Sequence, residues 1–64
     1  MYRGGMKKFE VNKELPNARA IVEGEYKDLY PGDPVIIYRG DREWSAVVET
    51  RVMGGAVVRV VTER

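Results

Sequence analysis

The sequence has no cysteine and no histidine, and these absences exclude several kinds of site. Without cysteine there is no disulfide framework, so packing, ion pairs or self-association must stabilise the fold. The chain also lacks the ligands of ordinary structural zinc sites and the thiol–imidazole pairs of nucleophilic enzymes. Ser45 is the single serine, and Gly4-Gly5 and Gly54-Gly55 match no phosphate-binding loop pattern. We therefore expect a protein that is not an enzyme and binds no metal or cofactor.

The sequence also has no large excess of positive or negative charge and no long apolar run. Eleven basic and ten acidic residues give a net charge of +1, which is only a weak attraction toward nucleic acid or an anionic membrane. No apolar run approaches the roughly 20 residues needed to cross a bilayer, and the first eight residues do not lead into a signal-peptide segment. We expect a cytoplasmic protein without membrane contact. Its many charges and lack of glutamine resemble the composition of thermophile proteins.

The chain length, 64 residues, fits one domain with a thin core. Met6 offers a second methionine at which translation could start, and we expect residues 1–6 to form a flexible N-terminal leader. Residues 7–64 then form a single small β-barrel domain.

Short runs of β-branched and aromatic residues, separated by glycine, proline, aspartate and asparagine, predict strands. No stretch of 11 residues has a helical apolar period. The predicted strands are residues 7–12, 18–26, 35–38, 44–52 and 56–62. Pro16 interrupts the pattern after the first strand because proline cannot donate to a ladder, and a short helical turn at residues 12–15 is an alternative there. Pro31-Gly32 predicts a type II turn.

Five short strands, three of them joined by tight hairpins, predict an all-β fold. The expected form is an antiparallel meander curled into a partly open SH3-like or OB-like barrel, because closure removes exposed strand edges. An open sheet with one short helix is the alternative. Strict alternation leaves several apolar residues on the outer face, where they would meet a partner or a second copy of the chain. These residues are Ile21, Ile36, Val47, Val57 and Val61.

Three segments resemble those of small SH3-like and translation-protein-type β-barrels, and of PUA-like folds. They are Val22-Glu23-Gly24, then Leu29-x-Pro31-Gly32-Asp33-x-Val35-x-Ile37, then Trp44-Ser45-Ala46-Val47-Val48. The resemblance covers residues 18–61. It implies, as a class, binding of RNA, ribosomes, peptides or partner proteins, and it assigns no functional residue.

The hairpin of residues 38–44 is the first candidate binding site. Arg39 and Arg42 stand between Tyr38 and Trp44, so guanidinium groups would hold phosphates while a ring stacks on a base. In the plainer alternative, which turn chemistry favours, Tyr38 and Trp44 pair across the hairpin mouth and the charges are solvated.

Arg51 and Arg59 are the second candidate, because alternation places both on the solvent face of adjacent strands. With Arg19 they would form a basic stripe. The favoured alternative is that Glu49 and Glu63 neutralise them in cross-strand ion pairs.

The sequence thus predicts a binding module. We expect nucleic acid as the partner, held by Tyr38, Arg39, Arg42, Trp44, Arg51 and Arg59. The alternative is a protein-interaction or homodimerising module. One version of it is an aromatic groove for a proline-rich peptide, formed by Tyr26, Tyr30, Tyr38 and Trp44.

Overall fold

The computed structural model describes residues 7–64, apart from the side chain of Tyr26, so the expected leader at residues 1–6 lies outside the described part. Five strands and one short 3-10 helix, Tyr26–Asp28, make up the fold. The strands are β1 (Lys8–Leu15), β2 (Arg19–Glu23), β3 (Pro34–Arg39), β4 (Arg42–Val52) and β5 (Gly55–Glu63). The last three match the predicted strands to within two residues, whereas β2 ends three residues earlier than predicted.

The strands form a closed barrel in the order β1-β2-β5-β4-β3, which confirms an all-β fold of the small SH3-like or OB-like kind. The pairing differs from a simple meander in two places: β2 pairs with β5, and β3 closes the barrel by pairing parallel with β1. The reason lies in residues 24–33, which include the 3-10 helix. A connection of this length carries the chain across one end of the barrel, whereas a hairpin would have kept β3 beside β2.

The core fills the barrel interior with side chains from all five strands. Leu29, from the connection between β2 and β3, is fully buried and covers one end of this core. Gly24 passes so close to it that a Cβ there would lie 2.8 Å from Leu29 Cδ1 and 2.7 Å from Phe9 Cε1. An isolated glycine in a strand pattern indicates a bulge or a close approach of this kind, and the structure shows the close approach. The buried strand residues are Phe9, Val11, Ala20, Val22, Val35, Ile36, Ile37, Ala46, Val48, Ala56 and Val58.

The predicted break after residue 12 is wrong, because β1 continues to Leu15. Pro16 follows the strand instead of interrupting it. The turn into β2 is made by Asn17 and Ala18, whose φ angles of 65° and 58° lie in the left-handed region. No helical turn forms at residues 12–15, since these residues pair with β2.

Three β-bulges reverse the alternation of side chains near the barrel ends, where one strand gains an extra residue. The registers place them at Asn12 in β1, Glu49 in β4 and Val61 in β5. Directly opposed residues of an antiparallel pair share a face. After the bulges, Glu14 therefore lies opposite the buried Ala20, Arg51 opposite the buried Ala56, and Glu63 opposite Trp44. Strict alternation in β4 would place Thr50 and Val52 on the face of Trp44, and the bulge at Glu49 prevents this.

The outer wall carries fewer exposed apolar side chains than alternation predicts. Ile36 is buried, and it lies between strands that the Lys8–Glu43 ion pair joins at 2.9 Å. Ile21, Val47 and Val57 are half-buried. Of the five, only Val61 is well exposed, at 60%. In the described part of the chain, no helix is long and apolar enough to span a membrane.

Candidate binding site at the open end of the barrel

The two ends of the barrel differ. At the plugged end, Leu29 and the 3-10 helix lie against the core. The open end is where the turn at residues 16–18, the β3–β4 hairpin and the end of β5 meet. It contains a cavity of about 380 Å³, a volume typical of small-ligand sites. Its floor is apolar and its rim is charged. The floor consists of Val11, Ala20, Ile37, Trp44 and Val60, and the rim includes Glu14, Arg19, Arg39 and Arg42.

The β3–β4 hairpin brings two arginines to this rim. Its loop is Gly40-Asp41, with Gly40 at φ 62°, so Arg39 and Arg42 are directly opposed. Ile37 faces Trp44 two residues further in, so the arginines share the inward face with Trp44. Tyr38 instead faces Glu43 on the outer wall. The predicted pairing of Tyr38 with Trp44 across the hairpin mouth is therefore wrong by one register step.

Both rim arginines contact carboxylates that the bulges bring to the same side. Arg39 Nη1 donates to Glu14 Oε2 at 3.0 Å. Arg42 makes a two-pronged contact with Glu63, with Nε donating at 2.8 Å and Nη2 at 2.9 Å. These hydrogen bonds lower the pKa of the Glu63 carboxyl and raise the pKa of the Arg42 guanidinium, so both groups are charged at neutral pH.

Arg42 also lies over the ring of Trp44, with its guanidinium carbon 5.1 Å from the ring centroid. This is the geometry of a cation–π contact. Glu63 and Trp44 therefore hold the Arg42 guanidinium from two sides at the edge of the cavity. The arrangement can offer hydrogen-bond donors to an anion and, next to them, an aromatic surface.

The structure separates the six predicted binding residues. Arg39, Arg42 and Trp44 meet at the open end, and Tyr38 lies on the adjoining outer wall. Arg59 is directly opposite Arg19 on the outer wall of β5 and β2. Arg51 lies toward the plugged end, with its guanidinium carbon 5.0 Å from the ring centroid of Tyr30.

The stripe that Arg19, Arg51 and Arg59 would form is incomplete, because Arg51 lies toward the plugged end, away from the opposed Arg19 and Arg59. Arg19 and Arg59 share one carboxylate, Glu49, at 3.2 and 3.9 Å, as the ion-pair alternative predicted for Arg59. Glu63 neutralises neither of the predicted arginines, because the bulge at Val61 turns it toward Arg42.

Of the four aromatic residues proposed for a peptide groove, Tyr26 has a side chain outside the described part, and the other three side chains do not line a common groove. Tyr30, Tyr38 and Trp44 lie at the plugged end, on the outer wall and at the open end. Glu14 and Glu63, in contrast, belong to the site and were missed, because alternation places both on the opposite face. In the part of the chain that the structure describes, no cluster of three or more acidic residues is placed to hold a metal ion.

Comparison with known proteins gives no relative from which a function could be transferred. No family model matches the sequence, and no curated protein or solved structure is significantly similar to the chain.

Proposed function

We propose that the chain is a small cytoplasmic binding module that binds single-stranded nucleic acid at its open end. The observation that carries this proposal is the hairpin register. It sets Arg39 and Arg42 opposite each other, next to Trp44, at the mouth of an apolar cavity. Phosphate-binding donors and a stacking surface thereby occupy one site.

The carboxylates on the two arginines do not prevent this function. The side chains of Arg39 and Arg42 are 51% and 61% exposed. Ion pairs of this exposure contribute only about 0–1 kcal/mol, because water competes for both partners. A phosphate can therefore replace Glu14 or Glu63 at little cost, and the released carboxylates are solvated.

The concave shape favours a single strand over a duplex. In a duplex the bases are stacked inside the helix, so none can enter a cavity and reach Trp44. An unpaired base can stack on the planar Arg42 guanidinium that lies over the Trp44 ring, as bases do on arginine planes in RNA-binding proteins. Because few cations contact the backbone, we expect modest affinity that decreases as salt rises.

Heteronuclear NMR titrations with six-nucleotide RNA and DNA single strands, and with a duplex of the same length, test the proposal. The shifts should cluster on residues 39–44 and around the cavity. Arg39→Ala and Arg42→Ala should each weaken binding and lower the salt slope by about 0.7 per lost phosphate contact.

The matched control is Lys13→Ala, which removes the same charge from an exposed position opposite Ile21 on the outer wall. This variant should bind nearly as the unaltered protein does. Equal losses of affinity in Arg39→Ala, Arg42→Ala and Lys13→Ala would show that the strand binds to the positive charge of the protein in general and not to the open end. Chemical-shift changes centred on Arg59 would show the same.

A flat response in every titration would instead favour a protein partner. The surface for that alternative is at the plugged end, where Met53 is fully exposed at the tip of the β4–β5 hairpin. Tyr30 and Val52 are exposed at the same end.

A further inference from the structure

The two ion pairs at the open end are not equally strong. Arg42 donates two hydrogen bonds to Glu63, and its guanidinium also makes a cation–π contact with the Trp44 ring. Arg39 has a single contact of 3.0 Å with Glu14, whose side chain is 73% exposed. An entering ligand therefore separates Arg39 from Glu14 first.

Backbone pairing between the two strands that carry this weaker pair ends before the pair is reached. In the described chain, the pairing of β1 with β3 covers Lys8–Glu10 and Ile36–Tyr38 and goes no further toward the open end. Two residues that line the cavity lie beyond this pairing: Glu14, near the end of β1, and Arg39, at the end of β3. Their ion pair thus spans the seam between β1 and β3, above the apolar floor.

A ligand that enters this seam meets a guanidinium on one side and a carboxylate on the other. The guanidinium offers a fork of donors, and the carboxylate offers two acceptor oxygens. A phosphate satisfies only Arg39, and it brings negative charge toward Glu14. A ligand that satisfies both groups needs two adjacent acceptors on one edge and two adjacent donors on another.

Guanine is the nucleobase with this pattern. Its O6 and N7 accept both prongs of an arginine, and its N1–H and N2 amino group point to the side where a carboxylate can accept. Adenine, cytosine and uracil each lack two adjacent acceptors or two adjacent donors. We propose that the open end selects guanine, with Arg39 on the O6/N7 edge, Glu14 on the N1/N2 edge and, beneath the base, the Arg42 guanidinium that covers the Trp44 ring. This inference rests on the proposed single-strand binding.

The test uses the RNA trinucleotides UGU, UAU, UCU and UUU with the full chain. Binding is followed by NMR and by the fluorescence of Trp44, the single tryptophan. UGU should bind on the order of 5- to 100-fold more tightly than the others, the range that one good bidentate base contact provides. Equal affinity for all four would overturn the guanine inference and leave single-strand binding intact. No binding of any of them would overturn both.

Two altered bases identify the contacts. Inosine lacks the N2 amino group and 7-deazaguanine lacks N7, so each should lose part of the preference. In Glu14→Gln, inosine and guanine should bind alike, and affinity for UUU should be retained or increased because a negative charge is gone. Glu10→Gln is the matched control, since Glu10 is an exposed residue of the same strand. A guanine preference that survives Glu14→Gln contradicts the proposed role of Glu14.

Discussion

The plugged and open ends of this barrel are built from the same strands but by different means. At the plugged end, a ten-residue connection lays Leu29 across the core, and Gly24 allows the close approach. At the open end, the connections are short turns. Charged side chains from four strands surround the opening instead, and Trp44 is only half-buried.

The plugged end therefore mainly stabilises the fold, whereas the open end mainly provides groups for binding. Burial of apolar surface stabilises a fold by about 25 cal/mol per Å², and the plugged end uses this effect fully. Exposed ion pairs contribute far less, so the open end adds little to stability while keeping donors, acceptors and an aromatic ring accessible. A domain of this size has only a thin core. We therefore expect its two ends to respond very differently to substitution.

Leu29→Ala should have the largest effect. It removes a fully buried side chain, a change that costs about 2–5 kcal/mol, out of a total stability on the order of 3–10 kcal/mol for a domain of this size. Urea unfolding followed by Trp44 fluorescence measures the loss. Val61→Ala, at an exposed site toward the open end, should change stability by less than about 0.5 kcal/mol. Similar losses in both variants would mean that the plug does not dominate stability.

Two glycines give a second comparison between the ends. At Gly55, toward the plugged end, a Cβ would collide with the backbone carbonyl of Val22, and a backbone atom cannot rotate away. Gly55→Ala should therefore force β5 away from β2, at a cost of about 1–3 kcal/mol.

Gly40 in the open-end hairpin is the matched position. Among the described residues, no heavy atom lies within 4 Å of a Cβ built there, and the cost comes from its φ of 62° alone. Gly40→Ala should cost about 1 kcal/mol, which lowers the melting temperature by roughly 4–8 °C. A smaller decrease for Gly55→Ala than for Gly40→Ala would contradict the close packing of β5 on β2.

Much of the plugged end could be predicted from the sequence. Pro31-Gly32 marked the turn before β3, where Gly32 has φ 91°, and Gly24 marked a close approach. The unbroken apolar run at the start of β3 correctly indicated burial on both faces, since Val35, Ile36 and Ile37 are all buried. In these cases the local structure follows from the residue type and its neighbours in the chain, so a single sequence is sufficient to predict it.

The open end could not be predicted in the same way, because it depends on bulges. Asn12, Glu49 and Val61 are ordinary strand residues, and nothing in an alternating pattern marks them as the extra residue of a pair. Each bulge exchanges the faces of the residues beyond it. One unmarked residue in β5 therefore decided that Glu63 contacts Arg42 instead of Arg51 or Arg59. The pairing of β1 with β3 is equally invisible, since it joins segments far apart in the chain.

The smallest expected effect concerns pH at the open end. Hydrogen bonds from Arg42 lower the pKa of Glu63 in the folded chain, whereas an unfolded chain has the ordinary glutamate value of about 4.3. The pair therefore contributes stability above that pH, and the contribution is lost as the pH falls through the folded pKa. A carbon NMR titration of the Glu63 carboxyl should show a midpoint below the ordinary value. Arg42→Ala should restore that value, and Arg59→Ala, on the outer wall, should leave the midpoint unchanged. If the Glu63 carboxyl titrates with the same midpoint in the unaltered protein and in Arg42→Ala, the two-pronged contact does not persist in solution. Arg42 would then be as accessible to a ligand as Arg39.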